Sequence, residues 1–236
     1  MKLWGGDSDT GCCSVSDVDD ARRVAQQLDI DHLVFNFGDD FDAHVVDPYV
    51  AAHVAGATPN PCIECNRSVK FARLAERADL LGFDAVATGH HANIGRTADG
   101  TFTLERGADP VKDQSYVVHM LDQRGLARTL FPVGHLDKAE VRRRAAEIGL
   151  RTADKPDSQD ICFVPDGNYV PVIERLRPEA GQPGDIVHED GRVLGRHKGI
   201  VHYTIGQRRG IGIAAAEPLY VTRLDAASAT VVVGPK

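Results

Sequence analysis

The chain has 236 residues, of which 42% are hydrophobic and 26% charged, and its net charge is −7. This composition is typical of a globular protein with one large or two small domains, and it excludes a uniformly basic nucleic-acid-binding protein. No apolar run is long enough to span a bilayer, the N-terminus lacks the layout of a signal peptide, and five cysteines do not fit a secreted disulfide framework, so we expect a reducing cytoplasm and no membrane association.

The charge is unevenly distributed along the chain. Residues 1–60 contain eleven Asp against three basic residues, whereas residues 186–210 carry a net charge of +3. A local basic strip can bind phosphate groups even on an acidic protein, although a solvated surface has the same composition.

The first sixty residues predict a short strand end and two helices. Residues 1–4 read as the end of a strand whose beginning is absent from the sequence. Ser16 or Asp17 is predicted to cap a helix, and residues 32–37 predict a strand. The apolar face of that first helix would consist of Val18, Ala21, Ala25 and Leu28.

A second helix is predicted to begin at Asp39 or Asp40 and to continue through Ala55. Pro48 lies inside this stretch and should kink the helix or end its first part, because proline has no backbone N–H to donate.

Residues 58–71 form the stretch around which the chain is organised. Pro59 and Pro61 predict a stiff, extended loop, and Asn66 is a good N-cap for the helix that follows. Cys65 would then lie just before a helix N-terminus, where positive partial charge favours thiolate over thiol. Cys62 lies three residues earlier, so both sulfurs could face one ligand or each other; buried or zinc-holding cysteines are the simpler alternative.

That helix is predicted to run to about Leu81 and to be closed by Gly82. Residues 84–88 then predict a brief buried strand that ends at Gly89 and His90. Alternating helices and strands imply a parallel sheet covered on both faces, and ligands bind at the carboxyl ends of such strands. A histidine there can equally be structural.

The next stretch predicts one strand and two helices. Residues 101–106 read as a strand, and residues 112–115 lead into a helix through Leu121. Asp137 and Glu140 match a capping box for a helix that ends at Gly149. Cys162 follows a polar loop, and an isolated cysteine of this kind is usually buried.

The composition changes near Pro165, where helical periodicity gives way to short β-prone runs. We therefore predict an α/β domain over residues 1–165, a linker at 166–178 and a small β-domain at 179–236. The predicted strands are residues 185–188, 192–194, 201–205, 219–224 and 230–233, with hairpin turns at 189–191 and 225–228.

Six segments in a particular order carry a family resemblance. They are residues 1–4 (MKLW), 58–71 (TPNP, then Cys65-Asn66 and Lys70-Phe71), 87–90 (ATGH), 112–116 (KDQSY), 158–163 (SQDICF) and 199–212 (containing YTIGQRRG). Read together along the whole chain, these segments resemble the bacterial tRNA-specific 2-thiouridylase family, which thiolates the wobble uridine of certain tRNAs.

The resemblance implies a fold and a reaction. The fold is a Rossmann-like, adenine nucleotide alpha hydrolase-like parallel sheet followed by a small β-domain and then a C-terminal barrel. ATP, with magnesium, adenylates the C2 oxygen of the uridine, and a cysteine persulfide supplies the sulfur. The implied partners are tRNA and a persulfide sulfur donor or relay protein, as expected of a cytoplasmic sulfurtransferase.

The same resemblance assigns roles to residues. Cys162 matches the persulfide-bearing residue, Cys65 matches the nucleophile paired with it, and Met1 and Gly89 would contact the nucleotide. Arg208 and Arg209, in the Gly-rich stretch 206–212, are expected to meet the tRNA backbone rather than to form a nucleotide-binding loop. The residues implied to contact tRNA or its target base are Asn60, Pro61, Cys62, His90, Lys112, Asp113 and Gln114.

Cys62 departs from the family pattern, because many members carry an Asp there that is thought to act as an acid/base. The role would pass to a thiol or disappear. Alternatively, Cys62, Cys65 and Cys162 resemble the three-cysteine arrangement of thiolases that bind an iron–sulfur cluster. Zinc held by the same cysteines and a histidine is a third possibility.

The family's Ser-Gly-Gly-x-Asp-Ser pyrophosphate loop is absent from the sequence, no other phosphate-binding loop replaces it, and the chain stops where the C-terminal barrel should begin. We therefore expect an N-terminally truncated sheet and a chain that is inactive alone. The alternative functions are a non-catalytic tRNA- or metal-binding remnant of the fold, or another ATP-pyrophosphatase such as an amidating ligase.

Overall fold

The computed structural model describes residues 1–3, 15–157, 161–164 and 167–235. The chain forms two compact units, the first made of Met1–Val45 and Pro61–Phe163 and the second of Val46–Asn60 and Val164–Lys236. The sequence had given no sign that residues 46–60 belong with the C-terminal part. The predicted division at residues 166–178 stays a prediction. No helix in the described ranges is long and apolar enough to cross a bilayer.

The N-terminal part of the first unit contains one regular helix, α1 (Val15–Gln27). Ser16 and Asp17 already lie within this helix, so the prediction that one of them caps it is wrong. Residues 32–37 do not form the predicted strand. Among the described residues, their pairing is a parallel bridge between Lys2 and Asn36, in which Lys2 N–H donates to Phe35 O and Phe37 N–H donates to Lys2 O, both at 2.8 Å.

The helical stretch around Pro48 is built from three segments. Helix α2 (Gly38–Phe41) continues into a π-helix (Asp42–Val46) and then into α3 (Asp47–Val54). Pro48 lies in the first turn of α3, directly after the π-helix. It has no N–H to donate, and the backbone changes from π- to α-helical bonding beside it instead of ending.

The second long helical stretch runs from Pro61 to Leu80. It consists of α4 (Pro61–Glu64), a π-helix (Cys65–Arg73) and α5 (Leu74–Leu80). Gly82 closes it as predicted: at φ +76°, its N–H bonds Asp79 O, and the Phe83 N–H bonds Ala78 O at 2.9 Å. These two bonds form a Schellman motif, which satisfies carbonyls that a helix end leaves open.

Two small sheets complete the first unit. Strand β1 (Val86–Ala87) pairs in parallel with β4 (Thr129–Leu130). Strand β2 (Ala92–Arg96), which the sequence reading missed, pairs antiparallel with β3 (Phe102–Arg106). The hydrophobic cluster around them contains Ala92, Val117, Val118 and Phe131, packed by Ile63, Phe71, Ile94, Leu104 and Leu121.

Three short helices follow β3. The predicted helix through Leu121 is only a 3-10 turn (Ser115–Val117), because Asp122 caps a new helix, α6 (Gln123–Ala127), by accepting from Gly125 N–H. Helix α7 (Lys138–Glu147) is capped by Asp137, which accepts from Glu140 N–H at 2.7 Å. It ends at Gly149, φ +73°, as predicted.

The second unit contains α8 (Val170–Leu176) and one four-stranded sheet. The strands are β5 (Gly184–His188), β6 (Val193–His197), β7 (Tyr220–Asp225) and β8 (Thr230–Gly234). Their order is β6-β5-β8-β7, with β5 and β8 parallel and the other pairs antiparallel. Four of the five predicted strands and both hairpins are present, whereas residues 201–205 are not a strand.

Residues 201–205 are not a strand because this stretch begins in a buried turn. Ile200–His202 forms a 3-10 turn, and Ile200 and Val201 are buried. Their apolar side chains therefore pack into the core from a turn. The β-prone composition of this stretch could not distinguish such a turn from a strand. The core of this sheet consists of Ile186, Ile200, Ile211, Val221, Val231 and Val233.

Candidate active site

A cavity of about 340 Å³ in the first unit brings together three cysteines that are far apart in the sequence. Cys62 is exposed, Cys65 is buried and Cys162 is half-buried. The other lining residues are Leu3, Phe41, Val45, Pro61, Asn66, Lys70, His90, Gln114, Tyr116, Val117, Ile161 and Phe163.

Two of these cysteines lie at the start of the helical stretch that begins at Pro61. Cys62 and Cys65 are three residues apart, a spacing that places both side chains on one side of a helix. The prediction that Asn66 caps this helix and that Cys65 precedes it is wrong. Pro61 begins the helix instead, because its fixed φ suits the first helical position, and Cys62 therefore occupies the first turn.

Cys162 enters the cavity from the other direction. It lies within the described segment 161–164, between the half-buried Ile161 and the buried Phe163. The Phe163 ring packs edge-to-face on Phe41 with centroids 5.7 Å apart, and this contact fixes the backbone next to Cys162. Ser158, Gln159 and Asp160, which belong to the same family-like segment, lie outside the described residues.

Asn66 is 1% exposed and connects the cysteine helix to the 3-10 turn at Ser115–Val117. Its Nδ2 donates to Val117 O at 2.8 Å. Its Oδ1 is buried and has no hydrogen-bond partner among the residues that the structure describes.

His90 follows β1, at the strand end where a ligand was predicted, and it is buried against aromatic rings. Its Nδ1 lies 2.8 Å from Thr88 Oγ1, and its ring lies 5.8 Å from Phe71 and 6.0 Å from Phe131 between centroids. Burial, and secondly the positive charge of Lys70, lowers the pKa of His90 to about 4. The imidazole is therefore neutral at pH 7.

A second cavity of about 590 Å³ lies next to the same strand end. It is lined by Gly89, His91, Val111, Lys112, Asp113, Gln114, Tyr116, Lys138 and Asp157. Gly89 and residues 112–114 are thus brought together in one cavity, while their predicted ligand contacts stay predictions. Met1, which is 37% exposed, is not among the described residues lining either cavity.

Residues 112–114 also make contacts within the protein. The Asp113 carboxylate accepts from Gly107 N–H and from the Ser115 hydroxyl, both at 2.9 Å. Gln114 is bonded twice to His91: its Oε1 accepts from His91 N–H at 3.0 Å, and its N–H donates to His91 O at 2.9 Å. Asp113 and Gln114 therefore shape this cavity as well as line it.

The Asp157 carboxylate lies close to three positively charged side chains at the edge of the second cavity. Its carboxylate lies 2.9 Å from Lys112 Nζ, 3.0 Å from Lys138 Nζ and 3.5 Å from an Arg142 guanidinium nitrogen. Hydrogen bonds from Lys112 and Lys138 hold the pKa of Asp157 well below its usual range. The group carries three positive charges against one negative charge, which suits an anionic ligand.

Arg208 and Arg209 lie in the second unit, in a loop shaped by glycines. Both side chains are exposed, and neither makes an ion pair with any residue in the described ranges. Gly206 and Gly210 have φ of +85° and +75°, so the backbone on either side requires glycine. Asn60, also predicted to contact tRNA, is exposed.

The metal alternatives find no support. Within residues 1–3, 15–157, 161–164 and 167–235, no three His, Cys, Asp or Glu side chains are arranged to hold a metal ion. Cys62, Cys65 and Cys162 share a cavity, but they are not among such groups in the described residues.

Sequence reasoning missed three residues of these sites or gave them another role. Asn66 was read as a cap, Lys70 only as part of the family-like segment 58–71, and Asp157 was given no role. Each had a local pattern with an ordinary explanation. Their placement depends on contacts with distant segments, which no local pattern records.

Comparisons with known proteins agree with this architecture. Residues 1–166 match the family model described as the tRNA methyl transferase HUP domain, a Rossmann-like domain, and residues 172–235 match the one described as the tRNA methyl transferase PRC-barrel domain. The predicted fold class, a Rossmann-like α/β domain followed by a small β-domain, is confirmed.

The curated relatives carry one name, tRNA-specific 2-thiouridylase MnmA. The protein from Herpetosiphon aurantiacus is 51% identical over 238 residues, covering 99% of this chain and 67% of its own length. Those from Xanthobacter autotrophicus and Brucella ovis are 52% and 54% identical, each covering 95% of this chain and 58% and 56% of their own lengths. The chain thus spans 56–67% of the length of these relatives, and it belongs to the tRNA-specific 2-thiouridylase family.

Proposed function

We propose that this chain takes part in ATP-dependent conversion of a tRNA wobble uridine to 2-thiouridine; its relatives are named tRNA-specific 2-thiouridylases. The observation that carries the proposal is the shared cavity of Cys65 and Cys162, which come from segments almost a hundred residues apart. Sulfur transfer between two cysteines requires such proximity.

The chemistry begins with the C2 oxygen of the uracil ring, which is a poor leaving group. ATP transfers AMP to that oxygen, pyrophosphate leaves, and N3 releases its proton, which it regains when 2-thiouridine leaves. The terminal sulfur of a Cys162 persulfide then attacks C2, and AMP departs with the oxygen. The ring is now bonded through sulfur to Cys162.

Cys65 completes the transfer in this scheme. Its thiolate attacks Cys162 Sγ, the sulfur–sulfur bond breaks, and 2-thiouridine leaves with the outer sulfur. The product on the protein is a Cys65–Cys162 disulfide, which an external thiol reductant returns to two thiols. A persulfide donor or relay protein then reloads Cys162.

The other predicted residues surround this chemistry. Cys62, exposed in the first helical turn, is placed to exchange protons with solvent in the role that an Asp has in many family members. Gly89 and Met1 are proposed to contact the nucleotide. The residues proposed to contact tRNA are Asn60, Pro61, Cys62, His90, Lys112, Asp113, Gln114, Arg208 and Arg209. Location in the cytoplasm, expected from the odd number of cysteines, is part of the same proposal.

The test measures thiolated tRNA produced from tRNA, ATP and a persulfide donor. We expect C65S and C162S each to abolish product, because a serine hydroxyl can neither carry a persulfide nor attack one at neutral pH. Cys13 has no predicted role, so C13S is the matched control and should retain activity.

Two other outcomes would contradict the proposal. Full thiolation by C65S or C162S would favour an ATP-pyrophosphatase that does not need paired thiols. If the protein with all five cysteines binds tRNA and forms no 2-thiouridine, the proposal that this chain takes part in the reaction fails, and the chain that is inactive alone and the non-catalytic module are the alternatives left.

A further inference from the structure

Asn66 is the most buried polar side chain in the cysteine cavity. Only 1% of it is exposed, it lines the cavity with Cys65 and Cys162, and it is adjacent to Cys65 in the sequence. Its Nδ2 donates a hydrogen bond to Val117 O, whereas its Oδ1 has no hydrogen-bond partner within the described part of the chain.

The orientation of the Asn66 amide is determined by Val117. A backbone carbonyl can only accept, so the amide nitrogen must face it, and a flipped amide would set two oxygens against each other. The amide atom that is left without a hydrogen bond is therefore the oxygen, Oδ1, which can only accept. Leaving a buried acceptor unbonded costs roughly 1–3 kcal/mol, and such a group in a native protein requires an explanation.

The cavity offers few other acceptors to a ligand. No carboxylate is among its described lining residues. Gln114 Oε1 already accepts from His91 N–H, and the Nδ1 of His90 is engaged with Thr88. Apart from the cysteine sulfurs, the side-chain acceptors remaining among the described lining residues are therefore His90 Nε2, the Tyr116 hydroxyl and Asn66 Oδ1.

We propose that Asn66 Oδ1 accepts the N3–H of the uracil ring that the cavity takes, and that Asn66 thereby selects uracil over cytosine. This inference rests on the proposed function and names the group that reads the base. Uracil carries a hydrogen on N3, whereas cytosine presents a lone pair there. Cytosine would set two acceptors against each other inside a buried site, which penalises it strongly.

The same contact would orient the ring for the reaction. N3 is bonded directly to C2, the carbon at which oxygen is exchanged for sulfur. An acceptor that holds N3–H before adenylation would therefore fix the position of C2 in the cavity that Cys65 and Cys162 also line. Asn66 acts here as a specificity-determining and positioning residue, with no part in the bond changes.

The test uses anticodon stem-loop RNAs with uridine or 3-methyluridine at the wobble position, and the measurement is the dissociation constant with the full chain. The methyl group replaces the N3 hydrogen. We expect wild type to bind the uridine RNA about tenfold or more tightly than the methylated RNA, as for a site that loses one buried hydrogen bond.

Two variants separate the effect of losing the Oδ1 acceptor from the effect of losing the Nδ2 hydrogen bond to Val117. N66D keeps an acceptor at the Oδ1 position, and N66L has a similar size without one, while both lose the Nδ2 contact with Val117. We expect N66D to keep the preference for uridine. N66L should bind the uridine RNA about tenfold more weakly and the methylated RNA as wild type does, so that the preference disappears.

Each remaining outcome overturns the inference. If wild type binds the two RNAs equally, or N66L keeps the preference, Asn66 does not read N3–H, while the proposed function stands. If H90Q loses the preference and N66L keeps it, His90 is the reader. If wild type binds neither RNA, the proposed function fails and the inference fails with it.

Discussion

His53 in the second unit is enclosed by two tyrosine rings. It is 4% exposed, Tyr169 stacks on it at 4.4 Å and Tyr49 meets it edge-on at 4.5 Å between centroids. Its Nε2 has no hydrogen-bond partner in the described ranges. Burial lowers the pKa of His53 to about 4, so the folded protein holds this ring neutral.

The pH dependence of stability follows from that pKa. Because the unfolded imidazole titrates near 6.5, the stabilisation is fully present above pH 6.5. It is lost as the pH falls towards 4, since the unfolded state then binds the proton. The limit is about 3 kcal/mol, from 1.36 kcal/mol for each pH unit of the shift.

We therefore expect H53F, which keeps an aromatic ring and cannot be protonated, to flatten this dependence. The measurement is the free energy of urea unfolding of wild type and H53F at pH 7.5, 6 and 5. Wild type should lose stability relative to H53F as the pH decreases. Parallel curves for the two proteins would show that His53 is protonated in the folded state.

Individual site residues were predictable to different degrees. Cys65 and His90 were singled out because of their chemistry and position, whereas only the family resemblance gave Cys162 a role; all three line one cavity. Asn66 was misread because asparagine is a common N-cap, and the sequence does not reveal that Val117 O takes its amide nitrogen. A pattern can identify a reactive group, but it cannot indicate which distant backbone atom a side chain meets.

At the scale of single elements, the N-terminus of α7 depends on one carboxylate. Asp137 has extended backbone angles of φ −75° and ψ 162° and accepts from Glu140 N–H. We expect D137A to lower the free energy of unfolding by about 1 kcal/mol, since an uncapped N–H loses its partner. Urea denaturation at neutral pH measures this.

D137N is the matched control because asparagine caps helices about as well as aspartate. It should remain close to wild type. If D137A and D137N were equally destabilised, the loss would come from the negative charge near the helix N-terminus rather than from the cap itself.

Element ends were predicted better than element interiors. Gly82, Gly149 and Asp137 end or begin helices as expected, because a positive φ or a cap is decided within a few residues. Residues 32–37 and 201–205 were wrongly predicted as strands, because a strand exists only where a distant segment pairs with it. Neither π-helix has a sequence signal of its own.

For the whole molecule, a net charge of −7 opposes non-specific binding of a polyanion. Any tRNA contact must therefore come from local cations that are not already neutralised. Arg192 pairs with Asp190 at 2.8 Å and Arg196 with Asp185 at 3.6 Å. By contrast, Arg208 and Arg209 are exposed and make no ion pair in residues 167–235. Their positive charges are therefore available to bind phosphate, whereas those of Arg192 and Arg196 are neutralised by carboxylates.

This difference predicts how tRNA affinity should depend on salt. Each phosphate contact releases condensed counterions, so the slope of log affinity against log salt should become shallower by roughly 0.7–0.9 for each contact removed. We expect R208Q and R209Q each to weaken tRNA binding and to reduce the slope by about this amount. R192Q is the control, because Asp190 already neutralises Arg192, and its slope should equal that of wild type. An equal reduction in all three variants would mean that tRNA senses the summed charge of the second unit. An unchanged slope in R208Q and R209Q would exclude this glycine-flanked loop from the tRNA contact.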